Sequence, residues 1–361
     1  MGLFKKKINS CLGVDIGSSG IKVVELKRER GEARLLTYGF TEHLNKVVPE
    51  GNWEDNADYT AQVLKKLVEQ IGSISRKAVV SLPTFSVFSS VINLSNVNRK
   101  NINDLVQREA RKVIPLPLEE IVLDWKVIPQ NKDKEQVKIP QATTVKQDKN
   151  IKILLTGAPK TLVKKYVTIF KKANIALASL ETETFSLIRS LCGSDPSTMM
   201  IIEVGSNTTD ISIINQGIPM LNRSIDVGGL TITKAISANL DISLERAEQF
   251  KYDLGITALD SPDSAIPRTI IDTISPITNE VKHMLNLFEN RDNQKVEKII
   301  LSGGSSLLPN LPNYLAKILN INVIIGNPWA SISYPLDLEP ILSEMGTKLG
   351  VAVGLAIRGI E

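Results

Sequence analysis

The sequence contains few of the residues from which disulfide frameworks, zinc sites and catalytic triads are built. It has two cysteines, Cys11 and Cys192, and two histidines, His43 and His283, among 361 residues. These numbers exclude a disulfide scaffold and a zinc cage, and they leave no convincing nucleophile with its base. We expect the thiols to be in a reducing compartment and His283 to lie at the surface of a helix.

The common phosphate-binding motifs and membrane-targeting signals are missing as well. Neither G-x-x-x-x-G-K-[ST] nor G-x-G-x-x-G occurs, which argues against P-loop and Rossmann folds at the motif level. No apolar run is long enough to span a membrane, and no signal peptide is evident. The start, MGLFKKK, does not fit a myristoylation signal because Lys6 stands at the required serine or threonine position, so a frayed terminus is expected.

What is present is the composition of an ordinary globular protein, with 42% hydrophobic and 23% charged residues. Its length allows a sizeable core and favours two domains. The net charge is +4 and the pI about 8.8, and we interpret this excess as spread along the chain. It favours a partner with acidic patches or an anionic membrane surface, and it does not suggest nucleic acid.

An internal repeat is the strongest feature of the sequence. Residues 14–26 read VDIGSSGIKVVEL and residues 201–214 read IIEVGSNTTDISII. A gapless alignment matches Asp15 with Glu203, Gly17 with Gly205, Ser18 with Ser206 and Lys22 with Asp210. Each segment is an apolar run, an acidic residue, a turn of small residues and a second apolar run, which predicts a β-hairpin. Two such hairpins predict two related lobes.

The turns of these hairpins have the composition of a phosphate-binding site. Glycine lets a ligand approach the backbone, while N–H groups and hydroxyls of a tight turn can bind an anion. An acidic residue at the end of each strand can hold Mg²⁺ through its water shell. Either turn alone could be simply a tight turn, but as a pair they predict a clasp around a triphosphate. The turn residues are Gly17, Ser18, Ser19 and Gly20 in the first hairpin and Gly205, Ser206, Asn207 and Thr208 in the second.

A third segment, residues 298–311 (KIILSGGSSLLPNL), agrees with this prediction. It reads as a buried strand, the turn Gly303-Gly304-Ser305 and a helix that starts around Leu307. A glycine pair between strand and helix lets a flat base or ribose lie against the backbone at the positive end of the helix. The alternative is a simple strand-to-helix turn.

The order of hairpin, hairpin and strand-Gly-Gly-helix is that of the actin, sugar kinase and heat-shock chaperone superfamily. More closely, the chain resembles the PilM family of actin-like type IV pilus assembly proteins, which are related to the cell-division protein FtsA. The resemblance runs nearly end to end, through residues 80–94, 105–128, 153–172, 180–189 and 346–358. It implies an α/β, actin-like (ribonuclease H-like) two-lobed ATPase fold with an inserted small α/β subdomain.

The resemblance also implies a division of the chain into four parts. These are a first lobe (1–79, 179–197 and 335–361), the insert (80–178), a second lobe (198–227 and 298–334) and a helical subdomain over the nucleotide (228–297).

Individual site residues follow from the family's motifs. Lys22 is implied to reach the phosphates, and Asp15 and Glu203 to hold Mg²⁺ through water. Glu203 replaces the aspartate usual in the second hairpin, which implies at most a slow ATPase. Glu183, at the head of a helix, is implied to orient the attacking water, or else is only an N-terminal helix charge. Glu183 and Glu203 are therefore the candidate catalytic residues.

A second group of residues is implied to contact the nucleoside. Residues 247–251 (AEQFK) resemble the family's A-E-x-x-K, in which Glu248 and Lys251 contact ribose and base, although they could equally be a surface ion pair. Gly228-Gly229 opens the first of two helices, 228–240 and 243–253, of the helical subdomain.

The rest of the chain is expected to be helical cover and one long loop. Residues 60–71 predict a helix, as do residues 276–290, with Ser275-Pro276 as a start signal and an apolar stripe. Residues 129–150 are polar and lysine-rich without a period, which predicts a flexible loop.

The resemblance implies a cytoplasmic scaffold, peripheral to the inner membrane, that binds ATP and Mg²⁺. Its implied partner is the N-terminal cytoplasmic tail of a PilN-type inner-membrane protein, held beside the insert; pilus motor ATPases and self-association are further expectations. Three alternatives stay open. An FtsA-like filament needs a C-terminal anchor, whereas this chain ends at Glu361. A small-molecule kinase needs an acceptor site with an acidic base. A docking module that has lost nucleotide would be consistent with Glu203.

Overall fold

The computed structural model describes residues 10–41, 56–97, 102–128, 148–256 and 265–361. The chain forms two compact units, one of Met1–Thr84 with Val167–Glu361 and a smaller one of Phe85–Tyr166. The described strands are β1 (Ser10–Gly17), β2 (Gly20–Glu29), β3 (Glu32–Phe40), β4 (Lys77–Leu82), β5 (Phe88–Val97), β6 (Ile121–Ile128), β7 (Asp148–Pro159), β8 (Ala176–Thr182), β9 (Met199–Val204), β10 (Thr209–Asn215), β11 (Ile218–Ile225), β12 (Lys298–Ser302), β13 (Asn322–Ile325) and β14 (Ile332–Ser333).

The helices follow the same chain order. They are α1 (Ala57–Gln70), α2 (Ile102–Val113), α3 (Lys160–Lys172), α4 (Glu183–Leu187), α5 (Gly229–Leu240), α6 (Leu244–Leu254), α7 (Ala265–Asp292), α8 (Leu311–Leu319) and α9 (Glu339–Ile360). A single π-helical turn, Ile188–Cys192, continues α4. The predicted helices at 60–71, 228–240 and 243–253 are confirmed, with ends that differ by three residues at most.

Two sheets with the same local topology make up the larger unit. The first has the order β14-β3-β2-β1-β4-β8 and the second the order β11-β10-β9-β12-β13. In the first, β1 pairs antiparallel with β2 and parallel with β4; in the second, β9 pairs antiparallel with β10 and parallel with β12. The sequence repeat is therefore a repeat of structure, and we call the two sheets with their helices the first and second lobes.

The first lobe is organised around α9, which packs against β1, β2 and β4. The contact is close because Gly13 of β1 has no side chain: a Cβ there would lie 1.9 Å from the carbonyl oxygen of Ala352. Among the described residues, the segment Leu336–Ile360 is long and apolar enough to cross a membrane, by length and composition only. The expectation that no apolar run reaches this length does not hold for it. In its apolar stretch, 61% is buried inside the protein, because these residues form part of the core of the first lobe.

The second lobe packs α5, α7 and α8 on its sheet, and the predicted apolar stripe of α7 is confirmed. Ile277, Val281, Met284 and Phe288 are all buried, whereas His283 is exposed as expected. The predicted start of this helix at Pro276 is wrong, because α7 begins at Ala265 and carries the proline inside it. An interior proline costs about 3 kcal/mol, and buried apolar residues on both sides of it offset that cost through packing.

The smaller unit is an antiparallel sheet with the order β5-β7-β6. Buried residues of α2, Val106 and Ala110, pack with Leu94, Ile153 and Leu155 of the sheet. This core is formed by residues within Phe85–Tyr166.

The boundaries of the expected insert, 80–178, differ from those of this unit. Residues 80–82 lie in β4 and residues 176–178 in β8, and these two strands pair with each other in the first sheet. Because residues 80–82 and 176–178 are part of this strand pair, they belong to the first lobe. The four-part division otherwise stays a prediction.

The helix expected around Leu307 begins later, at Leu311, after a short 3₁₀ turn over Gly304–Leu307. The delay arises because Leu308, which precedes Pro309, adopts a non-helical conformation. Of the predicted loop 129–150, residues 148–150 belong to β7. Residues 129–147, the first nine residues and His43 lie outside the described residues.

Candidate functional site

The first hairpin places Asp15 and Lys22 directly opposite each other on β1 and β2. Lys22 Nζ donates to Asp15 Oδ2 at 2.9 Å, and Ser81 Oγ at the end of β4 donates to Asp15 Oδ1 at 2.9 Å. Both oxygens of this buried carboxylate are thus bonded. Burial by itself lowers the pKa of Lys22, but the nearby carboxylates of Asp15, Glu203 and Glu183 raise it above the usual value, so Lys22 stays charged.

The turn of this hairpin is open around Gly17. A Cβ at Gly17 would meet nothing closer than Lys22 Nζ at 3.7 Å. Gly20 differs, because a Cβ there would lie 1.9 Å from the carbonyl oxygen of Thr41, whose backbone N–H bonds Ile21 O at 2.9 Å. Gly20 is therefore required by the fold, whereas Gly17 leaves room for a ligand at the backbone.

The second hairpin places Glu203 directly opposite Asp210 on β9 and β10. Asp210 accepts a hydrogen bond from Ser224 Oγ, whereas Glu203 Oε2 is buried without a hydrogen-bond partner among the described residues. Burial and the charges of Asp210 and Asp15 raise the pKa of Glu203 to about 8. Burial likewise raises the pKa of Asp210 to about 6. The second hairpin therefore pairs two acidic side chains at the position where the first pairs an acid with a lysine.

The second turn is bound to the start of α5. Gly229 N–H donates to Gly205 O and Leu230 N–H to Ser206 O, each at 2.9 Å. A Cβ at Gly228 would lie 2.4 Å from Ser206 O. The predicted Gly228-Gly229 start of the helix is thus explained in part by packing between the two segments.

The strand-Gly-Gly segment joins the same cluster. Gly303, with φ of +84°, would place a Cβ 2.4 Å from Val204 O, and Ser305 Oγ lies 3.5 Å from Gly205 O. Gly303 N–H donates to Thr347 O of α9 at 3.0 Å. The hairpin, the start of α5 and the Gly303 turn, predicted from separate parts of the sequence, therefore meet in one place.

Glu183 lies in the first turn of α4, where the charges of both hairpins act on it. Its Oε2 accepts from Thr84 N–H at 2.7 Å and Thr84 Oγ1 at 3.0 Å. Burial, and then the charges of Glu203, Asp210 and Asp15, raise its pKa well above the usual value. Thr184, the residue after Glu183, lies 3.3 Å from Ser212 of β10 (Oγ1 to Oγ), so the start of α4 in the first lobe contacts the strand that carries Asp210. The two hairpins therefore face a common region.

Lys251 and Glu248 do not form the solvated surface pair that was the alternative. Lys251 is buried, and its Nζ donates to Glu248 Oε2 at 2.7 Å, Thr233 Oγ1 at 3.0 Å and Gly229 O at 3.2 Å. Burial lowers the pKa of Lys251, opposed by Glu248, whose side chain is 40% exposed. Lys251 therefore joins α6 to the start of α5, beside the predicted nucleoside position.

The structure adds site residues that the sequence reading did not select. Asp210 faces Glu203, and its alignment with Lys22 in the repeat was the signal for it. Ser81 bonds Asp15 because β4 pairs in parallel with β1, and Thr84 bonds Glu183 because β4 also pairs in parallel with β8. Lys348 of α9 passes within 3.5 Å of the position of a Cβ at Gly304, and no sequence motif pointed to it.

The donor set determines how a cation could be held. In the part of the chain that the structure describes, no group of three or more His, Cys, Asp or Glu side chains is close enough to chelate a metal. Asp15 has both oxygens bonded, and Glu203 Oε2 is the acceptor left open. These residues fit Mg²⁺ held through its water shell and through phosphate oxygens, as is usual for this ion, rather than a protein cage.

Two lobes of repeated topology, each with a turn facing a shared region, define an actin-like fold. A solved structure described as "PilM-PilN type IV pilus biogenesis complex" superposes with a TM-score of 0.81 at 22% identity, over 97% of this chain and 98% of that chain. MreB 5 of Spiroplasma citri bound to AMPPNP has a TM-score of 0.51 at 14% identity, over 96% and 95% of the two chains. These similarities confirm the fold.

Sequence relatives narrow the class. The family model for type IV pilus assembly protein PilM matches residues 13–360, so the chain belongs to the PilM family. Cell division protein FtsA of Bacillus subtilis is 24% identical over 350 residues, which covers 88% of this chain and 78% of FtsA. The relationship to FtsA is thereby confirmed.

Proposed function

We propose that this chain is an ATP-binding scaffold of type IV pilus assembly, located in the cytoplasm at the inner face of the membrane. The observation that carries the nucleotide assignment is the contact between the two lobes at the hairpins, in which Thr184 of α4 lies 3.3 Å from Ser212 of β10, beside Glu183 and Asp210. A phosphate placed there would meet one lysine and the N–H groups of two turns. Membership of the PilM family supports the assembly role.

In the proposed complex, Lys22 contacts the phosphates and Glu203 and Asp15 hold the water shell of Mg²⁺. Bound Mg²⁺ neutralises phosphate charge. Gly17 allows close backbone approach in the first turn, and Gly205 to Thr208 line the second. Lys251 and Glu248 lie near the start of α5, where they would position the ribose and base beside Gly303 and Gly304. MreB 5, which shares the fold, is described with bound AMPPNP.

Catalysis by this site would be slow. Because the pKa of Glu203 is about 8, this side chain is mostly protonated at pH 7 until a cation favours its charged form. Glu183 accepts two hydrogen bonds from Thr84, which fix its carboxyl group where it would orient the attacking water. We therefore infer a nucleotide switch with slow turnover, in which ATP bridges both lobes.

The partner follows from the family. The similar solved structure is described as a complex of PilM with PilN, and we propose that this chain binds the N-terminal cytoplasmic tail of a PilN-type inner-membrane protein. An extended peptide of this kind is held by backbone hydrogen bonds and by pockets for its apolar side chains. Such docking would place the chain at the inner face of the membrane.

The test is calorimetric titration of the chain with a synthetic PilN-type N-terminal peptide and, separately, with ATP and Mg²⁺. Saturable binding of both is expected, with peptide affinity altered by nucleotide. Lys22→Gln should abolish the nucleotide response while leaving peptide binding measurable. Peptide binding that fails while ATP binds and phosphate is transferred to a sugar or to acetate would replace the scaffold by a small-molecule kinase.

A further inference from the structure

The lysines of α3 are arranged along one face of the helix. The helix has the sequence KTLVKKYVTIFKK, with five lysines and no acidic residue. Lys160, Lys164, Val167 and Lys171 follow helical spacing, and at 3.6 residues per turn they lie within about 60° of arc and span roughly 16 Å. We call these four residues the lysine stripe.

The stripe points to solvent because the opposite face of α3 is anchored. Tyr166, Ile169 and Phe170 are buried on that face, which fixes the rotation of the helix. The three stripe lysines are exposed, and Val167 between them is 48% exposed. Lys172 lies outside the stripe and pairs with Asp58. The stripe is thus a row of three exposed lysines on one helix face with one apolar side chain between them.

We propose that the lysine stripe binds the anionic headgroups of a phospholipid bilayer. A single-sign row on a helix is attracted to a negatively charged surface, and long lysine stems let each ammonium group reach a separate headgroup. Val167 would enter the boundary between headgroups and acyl chains, where a small apolar side chain is favourable. This contact is direct and goes beyond docking through a membrane-protein tail.

The side chains favour lipid over an acidic protein or nucleic acid. The stripe has no arginine for bidentate phosphate contacts and no aromatic side chain on which bases could stack. It also has none of the large aromatic anchors that dominate protein interfaces. What it offers is diffuse positive charge with one apolar contact, which suits a surface of mobile headgroups.

The experiment is co-sedimentation of the full chain with vesicles of phosphatidylcholine, with or without phosphatidylglycerol. Binding is expected only with phosphatidylglycerol, and it should weaken as salt rises. The variant Lys160→Gln/Lys164→Gln/Lys171→Gln should bind these vesicles at least about tenfold more weakly. Val167→Glu should weaken binding in the same direction.

The matched control is Lys234→Gln/Lys282→Gln/Lys317→Gln, which removes the same charge from exposed positions of α5, α7 and α8. It should keep wild-type vesicle binding. Equal losses in both triple variants, or no vesicle binding by the wild type, would overturn the proposal. Stripe-dependent binding of polyglutamate without vesicle binding would also overturn it and assign the surface to an acidic protein. ATP affinity and melting temperature, unchanged in the stripe variant, separate this result from a failure of the nucleotide assignment or of folding.

Discussion

The two hairpins share the same strand pairing but carry different charges at matching positions. In the first, the carboxylate of Asp15 faces Lys22 and has both oxygens bonded. In the second, Glu203 faces Asp210, and one buried oxygen of Glu203 has no partner among the described residues. The two hairpins therefore differ at one matched position, which is Lys22 in the first and Asp210 in the second. Lys22 makes the first hairpin attractive to an anion, whereas Asp210 makes the second attractive to a cation. Together the two turns fit a phosphate chain with its metal.

The largest expected effect comes from removing the cation of the first hairpin. Lys22→Gln should lower ATP affinity about 100-fold, because a charge contact of roughly 3 kcal/mol is lost. It should also lower the free energy of unfolding by about 3 kcal/mol, since Asp15 is left buried without its partner. Calorimetry and urea unfolding measure the two effects. In the double variant Asp15→Asn/Lys22→Gln, stability should recover and affinity should not.

The next effect is a pH dependence that belongs to the second hairpin. The pKa of Glu203 is about 8 in the folded protein and 4.5 ordinarily, so the folded state binds more protons between these values. The free energy of unfolding therefore carries no penalty from Glu203 below pH 4.5. It falls as pH rises from 4.5, and the loss is complete once pH has passed about 8. Without nucleotide, Glu203→Gln should remove this loss, about 5 kcal/mol by pH 9, in urea unfolding. An unchanged pH profile would contradict the assignment.

A smaller effect should come from Asp210→Asn, which removes the facing charge. The pKa of Glu203 should fall toward its usual value, and the pH-dependent loss of stability should shrink without vanishing, since burial is the larger cause. The matched Ser224→Ala change removes only the hydrogen bond to Asp210. Carboxylate titration followed by NMR, with both variants side by side, measures the difference. A larger shift from Ser224→Ala than from Asp210→Asn would be inconsistent with charge repulsion.

The smallest expected effect is a difference in stability between alanine substitutions at Gly17 and at Gly228. Gly17→Ala should change the free energy of unfolding by less than about 1 kcal/mol, because nothing lies within 3.7 Å of the added Cβ. It should still weaken ATP binding by filling the ligand side of the turn. Gly228→Ala should destabilise the protein by more, since its Cβ would meet Ser206 O at 2.4 Å. Thermal unfolding of the two variants gives the comparison, and equal destabilisation would mean that the first turn is not open.

Much of the fold could be predicted because the repeat and the apolar periodicities are local patterns. The hairpins, α1 and the apolar stripe of α7 follow from residue spacing, whereas α5 and α6 were expected with the family's nucleotide-binding subdomain. Pro276 was misread because tertiary packing outweighs the local cost of proline in a helix. Partners such as Ser81 come close only through sheet topology, which sequence spacing does not reveal.

Charge was the least predictable property. Lys251 was read as a possible surface residue, and its burial depends on α5 packing on α6. The sequence analysis treats the positive charge as spread along the chain, and it does not single out α3, which holds five lysines and no acidic residue. The alignment of their ammonium groups depends on which face of the helix is buried, and the structure supplies that face through Tyr166, Ile169 and Phe170.

The central claim is that turns from both lobes hold one nucleotide, and hydrogen–deuterium exchange tests it directly. Exchange of peptides covering residues 17–20 and 205–208 should slow together when ATP and Mg²⁺ are added, with the same nucleotide dependence. Slower exchange in only one of the two turns, or in neither while ATP binds elsewhere, would contradict the clasp.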